Sequence, residues 1–447
     1  MRLTSLRFSL FLSTCAGLML PVAGGQPGVD ADGLPAGALD LDGALGFALE
    51  HNYAIRQARE RIKEERGVEL EVRSRAIPQV GMSGSYTGNA REISGYNPAS
   101  GSSWGISVQA RQVVYAGGGV MASVKGARLA REAAVLELEG VINAQLLAVR
   151  TQFYAVLLAK EQIGVQEENV QLLGQQLKDA RSRFEAGTTS NFEVLRAEVA
   201  LANGQPPLIQ ARNDYRLAIE QLRQVLGLSG GTTEQGLELV GRLEVAQAVS
   251  YQLAEALVAA RAQRPELQQL AKLAAAGAQS VKASRAGYLP EVEVVGGYDW
   301  VRSPLSGAWS ERREGWTAGV QAQWNIFDGR ATAGRVVQAR SQLAQAQLAL
   351  ASATLAVEVQ VRQAYSSLLE AWELVQASGK TVEQAQEALR LANVRYGAGT
   401  ATQLDVLTSQ VSLTEARLNQ LQAGYGYHVA LAALRQAIGQ ADVFSGP

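Results

Sequence analysis

The sequence predicts a mainly α-helical protein, written as two tandem copies of one elongated unit, with four β-strands of membrane-wall pattern. The first observation behind this is an internal repeat: adding 212 to a position in the first half lands on the same kind of residue in the second half, with no insertion or deletion. Pro78 maps to Pro290, Gly84 to Gly296, Tyr86 to Tyr298, Trp104 to Trp316, Gly117 to Gly329, Val149-Arg150 to Val361-Arg362, Gly187-Thr188 to Gly399-Thr400, and Leu222-Arg223 to Leu434-Arg435. Loops drift by insertion, so a register kept over that length implies a rigid repeated unit. The second observation is a pair of long proline-free segments, Val120 to Phe184 and Thr332 to Tyr396, rich in Ala, Leu, Gln, Glu, Arg and Val. The third is a change of period from helical to two after each of Pro78 and Pro290.

The elements follow in order. Arg2 and Arg7 precede an apolar run from Phe8 to Leu20 and a small-residue exit, Pro21-Val22-Ala23-Gly24-Gly25. This is the pattern of a secretory signal, placed at residues 1–24. Cys15, the one cysteine of the 447 residues, lies inside it. Leu12-Ser13-Thr14-Cys15 has a distant likeness to a lipoprotein cleavage site, but Thr before the cysteine and apolar residues after it fit poorly. A chain that loses Cys15 with its signal has no thiol, which suits an oxidising compartment and excludes disulfides, cysteine catalysis and thiolate metal sites. Beyond residue 20 no run reaches the roughly 18 uninterrupted apolar residues of a spanning helix.

The first repeat, residues 25–227, opens with a helix expected over Asp42 to Arg75, whose counterpart is Ala254 to Ala286; Pro78 and Pro290 stop them. Hairpins follow at 78–115 and 290–327. In the clearest strand, Trp316 to Phe327, the residues Trp316, Ala318, Val320, Ala322, Trp324 and Ile326 alternate with polar Thr317, Gln321, Gln323 and Asn325. Partner strands are expected near Gln79 to Gly88 and Glu291 to Val301, joined by loops such as Tyr96-Asn97-Pro98-Ala99-Ser100-Gly101. Strands of about ten residues with one apolar face and tryptophans near their ends fit a transmembrane barrel wall, and also a half-buried hairpin of a soluble domain. Four strands cannot close a barrel, so strands placed in lipid require several chains to share one.

Each long helix carries a seam spaced by seven: Val149, Val156, Ile163, Val170, Leu177 and Phe184, and again Val361, Leu368, Val375, Val382, Leu389 and Tyr396. Strict heptads mark coiled-coil packing. The rods end in tips at 187–190 and 399–402, where Gly187 and Gly399 suit the left-handed residue that closes a helix. Ser190 with Glu193, and Thr402 with Asp405, have capping-box spacing and restart a helix. The return helices are expected to end near Gly227 and Gly439, with a kink at Gly204-Gln205-Pro206-Pro207 in the first. A connector, 228–250, leads to the second repeat, 251–440, and a tail, 441–447.

No cofactor or catalytic constellation is legible. His51 and His428 are the two histidines, isolated from each other, and a metal site needs three or four convergent ligands. Gly117-Gly118-Gly119 lacks the Lys-Ser/Thr of a phosphate loop. Acidic and basic residues nearly cancel, 42 against 41, with no basic patch for nucleic acid. An enzyme is not expected.

The doubled tip, Arg183-Phe184-Glu185-Ala186-Gly187-Thr188 and Arg395-Tyr396-Gly397-Ala398-Gly399-Thr400, continuing into Leu404-Asp405-Val406-Leu407, resembles the TolC-type outer-membrane efflux and secretion channels. The resemblance covers essentially the whole chain after the signal. It implies a homotrimer whose four strands per chain form one twelve-stranded barrel, continued into the periplasm of a Gram-negative bacterium by a coiled-coil α-helical barrel, with a belt near Leu228 to Val249. It further implies a passive exit duct for a tripartite efflux pump or type I secretion system. Its partners would be outer-membrane lipid, a periplasmic adaptor, and an inner-membrane pump or ABC exporter. Matching the family's gate gives Glu193, Asp405 and Tyr396, and its adaptor-docking tip gives Gly187, Thr188, Gly399 and Thr400. The family's second acidic ring falls on Thr408 and its gate arginine on Ala401, so this chain departs from the pattern there. Glu193 and Asp405 can equally be helix caps, and Tyr396 the last seam residue. A soluble periplasmic coiled-coil adaptor or scaffold is the alternative function.

Overall fold

The computed structural model of the protein describes residues 38–88, 102–228, 238–245, 247–302 and 312–440. The signal, Cys15, the loop through Tyr96 to Gly101 and the 441–447 tail lie outside these residues.

The repeat is kept to the residue in the helical hairpins. Helix α3 spans Gly119–Glu185 and α7 spans Ala331–Gly397, 67 residues each; the return helices α4, Asn191–Leu226, and α8, Gln403–Ile438, have 36 each. At 1.5 Å per residue the long helices are rods of about 100 Å. The seam points inward where expected: Val149, Val156, Leu177, Val361, Leu368 and Val382 are buried. Pro206 and Pro207 lie inside α4 without ending it.

Each expected single helix before a hairpin is broken in two. The segments are α1, Leu41–His51, and α2, Tyr53–Ser74, then α5, Leu253–Gln263, and α6, Pro265–Arg285. The breaks, at Asn52 and Arg264, are repeat-equivalent, and both residues are buried. Asn52 caps α2 by accepting from the amides of Ala54 and Ile55 at 2.9 and 3.2 Å, and donates to Val225 O at 2.7 Å and Gln145 Oε1 at 3.0 Å. Arg264 donates to Ala437 O at 3.2 Å and Gln360 Oε1 at 2.9 Å. Val225 and Ala437 are themselves repeat partners, so the same return helix anchors the same break twice. A buried side chain that recruits orphan amides and a distant carbonyl offsets the lost helical hydrogen bonds.

Strands β1, Gln79–Gly88, β2, Ser102–Ala116, β3, Glu291–Arg302, and β4, Arg313–Gln323, form one antiparallel sheet in chain order, with a bulge between Val113 and Tyr115. The fourth strand starts and stops earlier than the alternation suggested. Its pairing ends at Gln323, and Trp324, Ile326 and Phe327 project beyond it, exposed, ahead of the turn at Gly329 and Arg330.

Two apolar cores lie at mid-height. Leu45, Leu146, Val149, Phe153, Val156 and Leu222 form one, and their second-half equivalents around Val361, Leu368, Tyr427 and Leu434 form the other. The connector straps across both: Leu239 and Leu243 insert into the first and Val245 packs on the second. Leu39 and Leu239 form a parallel bridge, Leu39 N donating to Glu238 O at 2.7 Å. Glycines permit the crossing, because a Cβ on Gly241 would stand 2.7 Å from Leu157 Cδ1 and one on Gly424 2.7 Å from Leu243 O. Helix α3 is long and apolar enough by composition to cross a membrane. Its most apolar stretch, near Val141 to Ala159, supplies Leu146, Val149, Phe153 and Val156 to the first core instead.

Candidate gate, docking tip and membrane wall

Opposed and alternate residues of an antiparallel sheet share a face. The register Met82↔Val108↔Tyr298↔Trp316 therefore places Val80, Met82, Tyr86, Ile106, Val108, Val294, Tyr298, Trp316, Ala318 and Val320 on one side. Gln79, Ser83, Ser107, Gln109, Arg111, Glu293, Asp299, Thr317 and Gln321 take the other. On that polar side the Ser83 and Ser107 hydroxyls meet at 2.8 Å and Arg111 approaches Glu293 at 4.0 Å. Every residue of the outer strands β1 and β4 is exposed. Aromatic residues collect at both ends of the sheet. Tyr86, Trp104, Trp300 and Trp316 lie far from the helices, and Tyr115, Tyr288, Trp324 and Phe327 lie beside them, with Trp324 Nε1 donating to Tyr288 O at 3.1 Å. Trp316 and Trp324 are separated by about 27 Å of extended chain, close to the roughly 25 Å apolar band of a membrane barrel.

At the opposite end of the rods the two tips are built alike. Gly187 and Gly399 have φ of 71° and 74°. Thr188 and Thr400 each donate both N–H and hydroxyl to the carbonyls of Arg183 and Arg395: the amides at 2.9 Å, the hydroxyls at 2.9 and 3.2 Å. These glycines and threonines are exposed, but their conformations and hydroxyls already close the helix ends.

The three gate candidates occupy separate contacts. Asp405 is a cap: its Oδ2 accepts from Thr402 N and Oγ1, both at 2.8 Å, and Thr402 Oγ1 accepts from Asp405 N at 3.3 Å. Those hydrogen bonds from Thr402, helped by the charge of Arg395, hold its carboxyl below the ordinary Asp value. Ser190 and Glu193 depart from the capping-box expectation, since Ser190 makes no side-chain cap bond. Glu193 is drawn instead to Arg196 at 3.3 Å and to buried Gln403 of α8, whose amide, turned to suit its surroundings, donates to the Glu193 carboxylate at 2.6 Å and carbonyl at 3.1 Å. Tyr396 lies under the Arg183 guanidinium, 4.5 Å from its ring centroid, so α3 and α7 touch across the two repeats.

A polar seam between α3 and α8 escaped the sequence reading. Gln410, 2 % exposed, donates to Asn169 Oδ1 at 3.0 Å and O at 3.2 Å and accepts from Gln176 Nε2 at 2.5 Å. Arg417 pairs with Glu168 at 2.6 Å. The available signal was the seven-residue spacing of Gln410 and Arg417 on α8; their partners on α3 carry no local mark.

Comparison with known proteins agrees with this architecture. The family model described as outer membrane efflux protein matches residues 44–228 and 256–440, one stretch per repeat. The chain is 25 % identical to protein CyaE of Bordetella pertussis over 91 % of its own length and 86 % of that protein. It is 24 % identical to the outer membrane protein TolC of Vibrio cholerae over 66 % and 67 %. Among solved structures, CusC superposes with a TM-score of 0.78 at 19 % identity, covering 90 % of this chain and 92 % of that one. The soluble adaptor alternative is set aside by these matches, and the chain belongs to the outer membrane efflux protein family, the TolC-type ducts of the Gram-negative outer membrane.

Proposed function

We propose that three copies of this chain form a passive exit duct, the outer-membrane part of a tripartite efflux pump or type I secretion system, with a closable periplasmic end. The observation that carries this is the sheet: four strands, one exposed apolar face banded by aromatic residues, and two free edges. An open edge in hydrocarbon leaves backbone groups unpaired, so β4 of one copy must meet β1 of the next. Three copies give twelve strands, an even number within the range of known barrels. Exposed apolar stripes on the rods, Phe192, Leu195 and Val199 on α4 and Leu348, Leu355 and Val359 on α7, support the same neighbour-to-neighbour closure.

Adaptor docking is assigned to the surface around Gly187, Thr188, Gly399 and Thr400, and the gate to Glu193, Tyr396 and Asp405. The family is one of transport ducts, and the protein is assigned the role of a conduit. The driving energy comes from an inner-membrane pump or ABC exporter. Planar-bilayer recording of the purified protein tests the reading: a small, rarely open conductance that rises in Asp405→Asn supports duct and gate, and no pores in either protein would overturn both.

A further inference from the structure

We propose that the connector strap is held by an acid-sensitive clip: the neutral His428 ring of α8 fastens Leu243 at mid-height, and protonation of that ring lets the strap go. The clip joins the two repeats and stands whether or not the chain forms a duct.

Three residues on one face of α8 grip the strap. Gly424 gives Leu243 O room to approach, since a Cβ there would stand 2.7 Å from that oxygen. Tyr427, 2 % exposed, accepts from Val249 N at 2.9 Å and donates to Gln247 O at 3.4 Å. The His428 ring stacks on Tyr154 of α3 at 4.5 Å and 13°, meets Tyr427 edge-on at 6.0 Å, and hydrogen-bonds the backbone of Leu243. Leu243 is in turn buried in the first core. The strap is thus fixed between α3 of one repeat and α8 of the other.

His428 Nε2 is buried without a partner, so Nδ1 makes the bond to Leu243, as donor to its carbonyl. In the neutral ring this arrangement is complete, because Nε2 then carries only a lone pair. Protonation puts a charge and an N–H at Nε2 with no acceptor, and a buried donor left unpaired is costly. Arg150 of α3, Arg435 of α8 and Asp42 of α1 are the charges that act on the stacked Tyr154. In the strap, Arg242 and Glu244 flank Leu243 and are exposed. Around the stack the arginines outnumber the carboxylate, so a further positive charge is opposed. Burial holds His428 below the ordinary histidine value, against a smaller opposite effect of the Leu243 bond.

The duplication marks the clip as an addition. The residues 212 positions before Gly424, Tyr427 and His428 are Arg212, Tyr215 and Arg216. Arg212 and Arg216 are exposed, the first paired with Glu167 at 2.8 Å and the second donating to Asn213 at 3.4 Å. A permanently charged side chain stands at that position in the first repeat, and a ring that can shed its charge stands where the strap is received.

Once the strap is released, the ring takes the ordinary histidine value, about 6.5. The value in the closed clip is lower, so the full contribution is present above about pH 6.5 and is lost as pH falls toward the closed value. Carboxylates stay ionised between about pH 5 and 6.5. The chain has one other histidine, His51, stacked on Phe47 in α1. A transition in that window therefore has two candidate side chains.

The experiment is hydrogen exchange of the full chain in detergent at about pH 7.5 and about pH 5, expressed as protection factors relative to the intrinsic rate at each pH. The reporters are peptides containing Val240, whose N–H bonds Leu39 O, and Val249, whose N–H bonds Tyr427; residues 378–390 of α7 serve as reference. Protection of the strap should fall about tenfold in wild type, within the ceiling of about thirtyfold set by about 1.5 pH units below the released value. In His428→Phe, which keeps a planar ring on Tyr154 but cannot titrate, protection should not depend on pH. In His51→Gln the wild-type fall should remain. Constant protection of the wild-type strap would overturn the proposal, as would an equal fall in His428→Phe or a reference segment that loosens as much as the strap. A second measurement needs no change at His428: magnetic resonance of isotope-labelled histidine in wild type, with the two rings assigned through His51→Gln, should show His428 titrating below about 6.5. Titration at or above that value would overturn the clip as well.

Discussion

Gly227 and Gly187 have nearly the same backbone, φ of 80° and 71°, yet the structure assigns them different costs when a methyl group is added. At Gly187 a Cβ meets nothing within 4 Å, so Gly187→Ala carries the left-handed penalty alone, about 1–2 kcal/mol. At Gly227 the same atom would stand 2.5 Å from His51 O and 3.2 Å from Asn52 Cα. Relief requires moving the α1–α2 break, where Asn52 holds Val225 O and Gln145. Loosening those two buried bonds costs about 1–3 kcal/mol each where a group is left unpaired. Gly227→Ala should therefore cost about 3–8 kcal/mol in all, at least about 2 kcal/mol more than its tip counterpart. Hydrogen exchange of residues 49–57 in the detergent-solubilised protein reads this locally. Gly227→Ala should speed exchange there by tenfold or more, since about 1.4 kcal/mol is one decade, and Gly187→Ala should leave that segment unchanged. Equal acceleration by the two substitutions, or none by either, would refute the idea that the breaks are pinned by the return helices. The same contrast holds for Gly439, whose Cβ would lie 3.0 Å from Arg264 N, against Gly399 in open space.

Three further outcomes are expected. Asp405 has a folded pKa below its unfolded one, so its contribution to α8 is complete above the unfolded value, about pH 4, and is lost as pH falls through the folded value; the protection factors of residues 403–407, that is exchange relative to the intrinsic rate at each pH, should fall in acid in wild type and stay constant in Asp405→Asn. Arg330, the one non-glycine with positive φ among the described residues, sits at φ 73° where the first repeat has Gly118, so Arg330→Gly should stabilise the β4–α7 junction by about 1 kcal/mol, read as a raised thermal midpoint. Arg183→Leu removes the cation lying over Tyr396, a contact of about 0.5–1 kcal/mol, and should raise open probability two- to fivefold; an unchanged value would remove Tyr396 from the gate.

What could be read in the sequence was whatever recurs or obeys a short period. The 212-residue repeat located α3, α7, α4 and α8, and the tip glycines took the backbone that their position after a long helix demanded. Alternation found the strand faces, but it overran the end of β4, because Trp324 and Ile326 are spaced like strand residues while standing beyond the last paired residue. The breaks at Asn52 and Arg264 were hidden for a different reason. Asn52 is unremarkable in a helical run, and its partners Val225 and Gln145 are far along the chain; Pro265, a favoured first helical residue, was the legible half of that pair. Capping-box spacing proved right for Thr402 with Asp405 and wrong for Ser190 with Glu193. Arg196 and Gln403 compete for the second carboxylate, and the Gln403 contact is set by tertiary packing. The α3–α8 seam shows the same limit: heptad spacing gives one side of a contact and the fold alone supplies the other.

The claim on which the rest depends is that chains pool their strands to seal one wall in lipid. Native mass measurement of the protein extracted from outer membranes in detergent tests it most directly. The account predicts a detergent-dependent particle of three chains; a monomer that stays in solution without detergent would contradict it.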